Sequence, residues 1–71
     1  MQIYNNLGGN SGVHAYHIGE DYIDVQFNTG KIYRYSYMKA GKEKVERMKI
    51  LAKQGNGLNS YIMRYARYDY D

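Results

Sequence analysis

The chain has no cysteine, no proline and no tryptophan, and a single phenylalanine. Without cysteine it forms neither a disulfide framework nor a thiolate metal site. No apolar run approaches the roughly 20 residues that cross a bilayer, and the first residues lack the basic and apolar regions of a signal peptide. The expectation is a soluble, cytoplasmic protein with no membrane partner. With 71 residues there is room for one small domain over 1–71, and a core of that size supplies only about 3 to 5 kcal/mol of net stability. A deep, enclosed active-site cleft is not expected of it. Bulky tyrosines or a homo-oligomeric interface are the remaining means of support.

What fills the place of the missing residue types is tyrosine, ten in all. Its ring is large, rigid and half-apolar, and its hydroxyl gives it a polar handle. Seven of the ten sit in two stretches, Tyr33-Arg34-Tyr35-Ser36-Tyr37 and Tyr61 to Tyr70, where arginines interleave with the rings. Rings and guanidinium groups side by side suit a site that holds bases and phosphates. A net charge of +3 leans the same way, but only mildly, because solvated lysines account for most such excesses.

Residues 5–12 read Asn-Asn-Leu-Gly-Gly-Asn-Ser-Gly, a run of turn formers expected as a flexible loop that does not pack. From Val13 to Ile18 the pattern is extended, and Gly19-Glu20-Asp21 turns the chain. Tyr22 to Phe27 alternates strictly, which puts Ile23, Val25 and Phe27 on one core-facing side. Asn28-Thr29-Gly30 reads as a three-residue hairpin loop with glycine at the left-handed position. Lys31 to Tyr37 returns as the next strand, while Met1 to Tyr4 forms a short edge strand or folds against the meander. The period then lengthens. Val45, Met48 and Leu51 or Ala52 recur at helical spacing from Lys42 to Gln54, and Gly55-Asn56-Gly57 stops that amphipathic helix. Leu58, Ile62 and Tyr65 begin a second, short helix. The fold class expected is α+β, a three- to four-stranded antiparallel meander followed by two helices packed on one face.

Val25-Gln26-Phe27, Gly30, Tyr33-Arg34-Tyr35, Gly57-Leu58-Asn59, Ile62 and the tyrosines near the end follow one another in an order that resembles the KTSC domain. That domain closes some lysyl-tRNA synthetases and also stands alone in small bacterial and phage proteins. The resemblance spans roughly Val13 to Tyr70 and depends on short patterns. The family often opens its helix with Val-Pro, whereas this chain reads Met38-Lys39-Ala40-Gly41, so its helix entry is expected to differ. The resemblance implies the fold and, through the synthetase context, RNA as a ligand.

On a strand, Tyr33, Tyr35 and Tyr37 share one face and Ile32, Arg34 and Ser36 the other. With Tyr33 and Tyr35 in the core, Arg34 falls on the open face near Tyr22, Asp24 or Gln26. Several RNA-binding folds stack bases on such a sheet face. On a helix, Tyr61, Tyr65 and Tyr68 form a stripe flanked by Arg64 and Arg67. Stripes of that spacing more often pack than bind, yet Leu58 and Ile62 already supply an apolar edge, which leaves at least one ring surplus to the core. The lysines of the longer helix are interrupted by Glu43 and Glu46 and read as a solvated face with local ion pairs. Gly8 to Gly12 matches neither phosphate-loop fingerprint. His14 and His17, three apart on a strand, fall on opposite faces with no further metal ligand nearby. Glu20, Asp21 and Asp24 cluster at a turn, where acids serve local hydrogen bonding. No serine has a nucleophile's context, and two histidines assemble no triad.

The function expected is therefore non-enzymatic binding, with no metal and no cofactor. The ligand is a nucleotide-type anion, either single-stranded RNA or a free or cyclic nucleotide held by a homo-oligomer, gripped by tyrosine stacking and by arginine and lysine charge. The candidate ligand-binding residues are Arg34, Tyr37, Tyr61, Arg64, Tyr65, Arg67 and Tyr68. The rival expectation is a homo-oligomeric protein-interaction module, such as a phage accessory or inhibitor protein, because tyrosine and arginine also enrich protein interfaces.

Overall fold

The computed structural model describes residues 1–9 and 11–71; Asn10, part of the Gly/Asn loop expected over 5–12, lies outside the described residues. Four strands, β1 (Gln2–Ile3), β2 (Val13–Ile18), β3 (Tyr22–Phe27) and β4 (Ile32–Ser36), precede two helices, α1 (Lys42–Gln54) and α2 (Leu58–Tyr65). The strands form one antiparallel sheet in the order β1-β2-β3-β4. This is the α+β meander with two trailing helices that the periodicities predict.

The alternation of β3 buries Ile23 and Val25 completely and leaves Phe27 half-buried at the end of the sheet. Opposite them, Tyr35 of β4 is buried, with Tyr33 and Tyr37 at the rim of the same face. The helices cover that face with Val45, Met48 and Ala52 of α1 and Leu58 and Ile62 of α2. Each fully buried aliphatic side chain of this kind contributes about 1.5 to 3 kcal/mol against the entropy of ordering the chain. Gly30 takes φ +92° in the β3–β4 hairpin, as a glycine at that position is free to do.

In β2 a bulge between Val13 and Ala15 interrupts the pairing with β3. Beyond it Tyr16 and Ile18 face Val25 and Ile23, whereas His17 sits opposite Asp24 on the other side of the sheet. Simple alternation therefore does not run from His14 to His17, and the expectation of opposite faces loses its basis there.

Segment 5–12 makes contacts that its composition does not announce. The Leu7 N–H donates to the Gly55 carbonyl (2.7 Å), and the Asn28 N–H donates to that of Gly12 (2.7 Å). Gly55 ends α1 in the left-handed conformation, φ +74°, with its Cα so close to Asn5 that an added Cβ would stand 2.6 Å from the Asn5 Cβ. Tyr4 is buried, and its hydroxyl accepts from the Leu58 N–H at 3.2 Å. It thereby satisfies one of the N–H groups that a helix start leaves unpaired.

After α2 the chain turns back, the Asp69 N–H donating to the Ala66 carbonyl, and lies along the outer side of β4. There the Asp71 N–H donates to the Arg34 carbonyl at 2.7 Å, and Ser36 donates from its hydroxyl to Asp71 Oδ1 at 2.7 Å. An ion pair from Lys44 to Asp69 (2.6 Å) ties the same tail to α1. Among the described residues, no helix is long and apolar enough to cross a membrane.

Candidate functional site

The antiparallel register puts Arg34 directly opposite Asp24 on the open sheet face. The guanidinium donates twice to that carboxylate, Nε to Oδ1 at 2.7 Å and a terminal nitrogen to Oδ2 at 3.0 Å, and lies 3.9 Å from the centre of the Tyr22 ring. The hydrogen bonds to Asp24 raise the Arg34 pKa further above its ordinary value. Both the charge of Arg34 and one face of Tyr22 are thereby occupied within the protein.

Tyr37, at the end of β4, is held just as firmly. Its hydroxyl donates to Glu46 Oε2 at 2.5 Å, and Lys49 donates to the same oxygen at 2.8 Å. Lys49 is buried, donates also to the Glu20 carbonyl at 3.0 Å, and sits 5.5 Å above the Tyr37 ring. The network pins the β2–β3 turn, β4 and α1 together. The hydrogen bond to Glu46, helped by burial and nearby carboxylates, pushes the Tyr37 phenol up to about 12. Lys49, and after it Tyr37, hold the Glu46 carboxyl below its usual range. A buried ammonium is tolerated here because it meets a carboxylate, a carbonyl and a ring face.

The remaining candidates gather around α2, and they divide. Leu58, Ile62 and Ala66 face the core, so at 100° per residue Tyr61 and Tyr65 lie on one flank, Met63 on the other and Arg64 on the outward ridge between them. The Tyr61 and Tyr65 rings are 5.0 Å apart and tilted by 48°. With Lys42, Arg47 and Ile50 of α1 they line an open groove of about 1210 Å³.

Tyr68 does not continue the stripe. The helix ends at Tyr65, and the turn at Ala66 swings Tyr68 to the opposite flank. There Arg67 and Tyr68 join Phe27, Tyr33, Met63 and Tyr70 around a second cleft of about 310 Å³. Phe27 and Tyr33 meet edge to face at 5.7 Å, and Tyr33 and Tyr70 approach to 4.7 Å. The Arg67 guanidinium lies 5.8 Å from the centre of the Tyr68 ring.

The structure thus separates the seven residues expected to act together. Arg34 is on the sheet face and Tyr37 is in the Lys49 network. Tyr61 and Tyr65 line one flank of α2, Arg64 tops the ridge, and Arg67 and Tyr68 belong to the other flank. The second cleft adds three rings outside the seven candidates, Phe27, Tyr33 and Tyr70. Phe27 and Tyr33 read as core, although their place beside the hairpin, where the sheet outruns the helices, is a sign of partial exposure. Tyr70 lies in a tail with no periodicity to read. Among the described residues, no three histidine, aspartate or glutamate side chains form a candidate metal site.

Compared with known proteins, the chain matches no family model, no curated protein and no solved structure. The KTSC resemblance rests on the residues quoted for it.

Proposed function

We propose that this protein is a non-enzymatic, KTSC-like binding module of the cytoplasm whose ligand is a nucleotide-type anion, with single-stranded RNA the form that suits its surface best. One observation carries the reading. Around α2, Arg47, Arg64 and Arg67 have no carboxylate within ion-pairing distance among the described residues; Asp69 and Glu46 are engaged by Lys44 and Lys49, and Glu43 is the one acid of the Tyr61–Tyr65 groove, among the described residues, without an ion pair. Beside these unneutralised guanidinium groups, Tyr65 and Tyr68 expose 54% and 76% of their surface.

Exposed rings take bases by stacking, worth about 1 to 3 kcal/mol each, and guanidinium groups fork onto phosphate. Two rings and two arginines suffice for a site of about micromolar affinity. Clefts on both flanks of one helix, with an arginine on the ridge between them, suit a strand laid across α2 better than a lone mononucleotide. A free or cyclic nucleotide would need a homo-oligomer to close around it. Arg34 and Tyr37 have structural duties in this reading, and the lysines of α1 add phosphate attraction without sequence preference.

The test is fluorescence anisotropy with a labelled oligouridylate over a series of salt concentrations. Binding is expected to weaken steeply with salt as neutralised phosphates release counterions, and to be lost in Arg64→Ala/Arg67→Ala. Salt-independent self-association without RNA binding would instead support the interaction module.

A further inference from the structure

We infer that the cleft formed by Phe27, Tyr33, Met63, Tyr68, Tyr70 and Arg67 is a pocket for one nucleobase, whose phosphate is held by Arg67. The inference rests on the nucleotide reading above and names which flank of α2 seats the base.

The size, the walls and the charge of the cleft each narrow the occupant. Its volume of about 310 Å³ lies at the lower end of the 300 to 1,000 Å³ or so typical of small-molecule sites. A cleft of this size seats one base, with the sugar and phosphate at its open side. Its walls are rings set at angles to one another, Phe27 against Tyr33 at 67° and Tyr33 against Tyr70 at 48°. Tyr68, three-quarters exposed, has no ring partner among the described residues, so its ring is available for stacking.

Boxes of aromatic rings also capture quaternary ammonium groups. Here Arg67 sits in the wall beside Tyr68 and places a positive charge where such a cation would have to enter. Of the two carboxylates of the tail, Asp69 is paired with Lys44, and Asp71 is turned to the β4 side, where it accepts from Ser36 and makes no ion pair with Arg67. A flat apolar body with a negative end satisfies both the rings and Arg67, and a nucleoside monophosphate has that shape.

The pocket is also built rather than accidental. Two of its rings, Tyr68 and Tyr70, come from the tail, which is fastened on one side of Tyr70 by Asp69 to Lys44 and on the other by Asp71 to β4. Tyr70 is held against both Tyr33 and Tyr35 between those anchors. A ring fixed before the ligand arrives loses little entropy on binding.

Uridine 5′-monophosphate, uridine and inorganic phosphate, titrated separately and followed by NMR, test the assignment. The nucleotide is expected to shift the ring signals of Phe27, Tyr33 and Tyr70 and to bind more tightly than either fragment. Tyr68→Ala, at a position too exposed to disturb folding, should weaken it about tenfold, which is the loss of one stacked base. Arg67→Ala should bring it down to the affinity of uridine. Tyr65→Ala, on the other flank, should weaken it less than Tyr68→Ala does. Shifts centred on Tyr61 and Tyr65 with the variant order reversed would overturn the pocket while leaving the nucleotide reading intact. If neither the nucleotide nor an oligouridylate binds, both fall. Trimethyllysine binding in the cleft in place of the nucleotide would overturn the inference in favour of a modified peptide.

Discussion

Among the described residues arginine lies over tyrosine on the open sheet face and again at the end of α2, and the two meetings differ by one carboxylate. On the sheet, Asp24 faces Arg34 across the β3–β4 ladder and takes both arms of its guanidinium, which then lies over Tyr22. Beyond α2, Arg67 lies beside Tyr68 and makes no ion pair among the described residues, its neighbour Asp69 being paired with Lys44. The first is a closed unit that ties two strands together. The second has charge and ring surface to spare. Residue types alone do not separate a paired arginine from an unpaired one, whereas the contacts that deliver or withhold an acid do.

The largest effect that would sharpen this contrast is on RNA affinity. Arg64→Ala/Arg67→Ala is expected to lose about two to four orders of magnitude, since hydrogen bonds to charged groups are worth about 1.5 to 3 kcal/mol each. Arg34→Ala should lower the melting temperature by a few degrees and leave oligouridylate anisotropy within about twofold of the parent. An equal loss in the two variants would erase the distinction between the regions.

Next in size is the response to alkali. Hydrogen bonding to Glu46 lifts Tyr37, and burial lifts Tyr35, from 10 to about 12. Because the folded values lie above the unfolded one, the stability that these phenols contribute is complete below pH 10 and is lost as pH rises through about 12;. Thermal melts over that range should show a steep fall, reduced in Tyr37→Phe. A flat profile would remove the Lys49 network from the list of structural supports.

A smaller change should convert one region toward the other. Asp24→Asn frees the Arg34 charge without altering side-chain size, and the open sheet face should gain about two- to threefold in salt-sensitive affinity for oligouridylate. No gain would mean that Arg34 stays on Tyr22 whether or not its partner is charged. Smallest of all, Ser36→Ala removes one anchor of the tail and should weaken uridine 5′-monophosphate about twofold, with a melting temperature lowered by a few degrees at most.

Local patterning carried the fold a long way. The strict alternation of Tyr22 to Phe27, the glycine of the hairpin, and the Lys42 to Gln54 period closed by Gly55 each reappear in the structure at those residues. The neighbours of Arg34 were legible too, because a hairpin of known loop length fixes which residues oppose each other. What stayed hidden depends on contacts between distant parts of the chain. Tyr4 reaching Leu58 and Asp71 reaching Ser36 are separated by 54 and 35 residues, and no periodicity encodes such pairs. The bulge in β2 has no glycine to mark it. The end of α2 was equally silent: Ala66 is a good helix former, so the stripe from Tyr61 to Tyr68 reads as continuous although the helix stops at Tyr65.

The tail along β4 has one more consequence. A four-stranded sheet has two exposed borders, and unpaired strand borders are templates on which further chains add to form fibrillar aggregates. One border of this sheet, β1, is only two residues long. At the other, the tail fills the Arg34 carbonyl and the Ser36 N–H with Asp71, which denies an incoming strand its first hydrogen bonds. In a chain this rich in tyrosine, the tail thus caps part of the β4 border, and its fraying would bare those hydrogen-bonding groups to another strand.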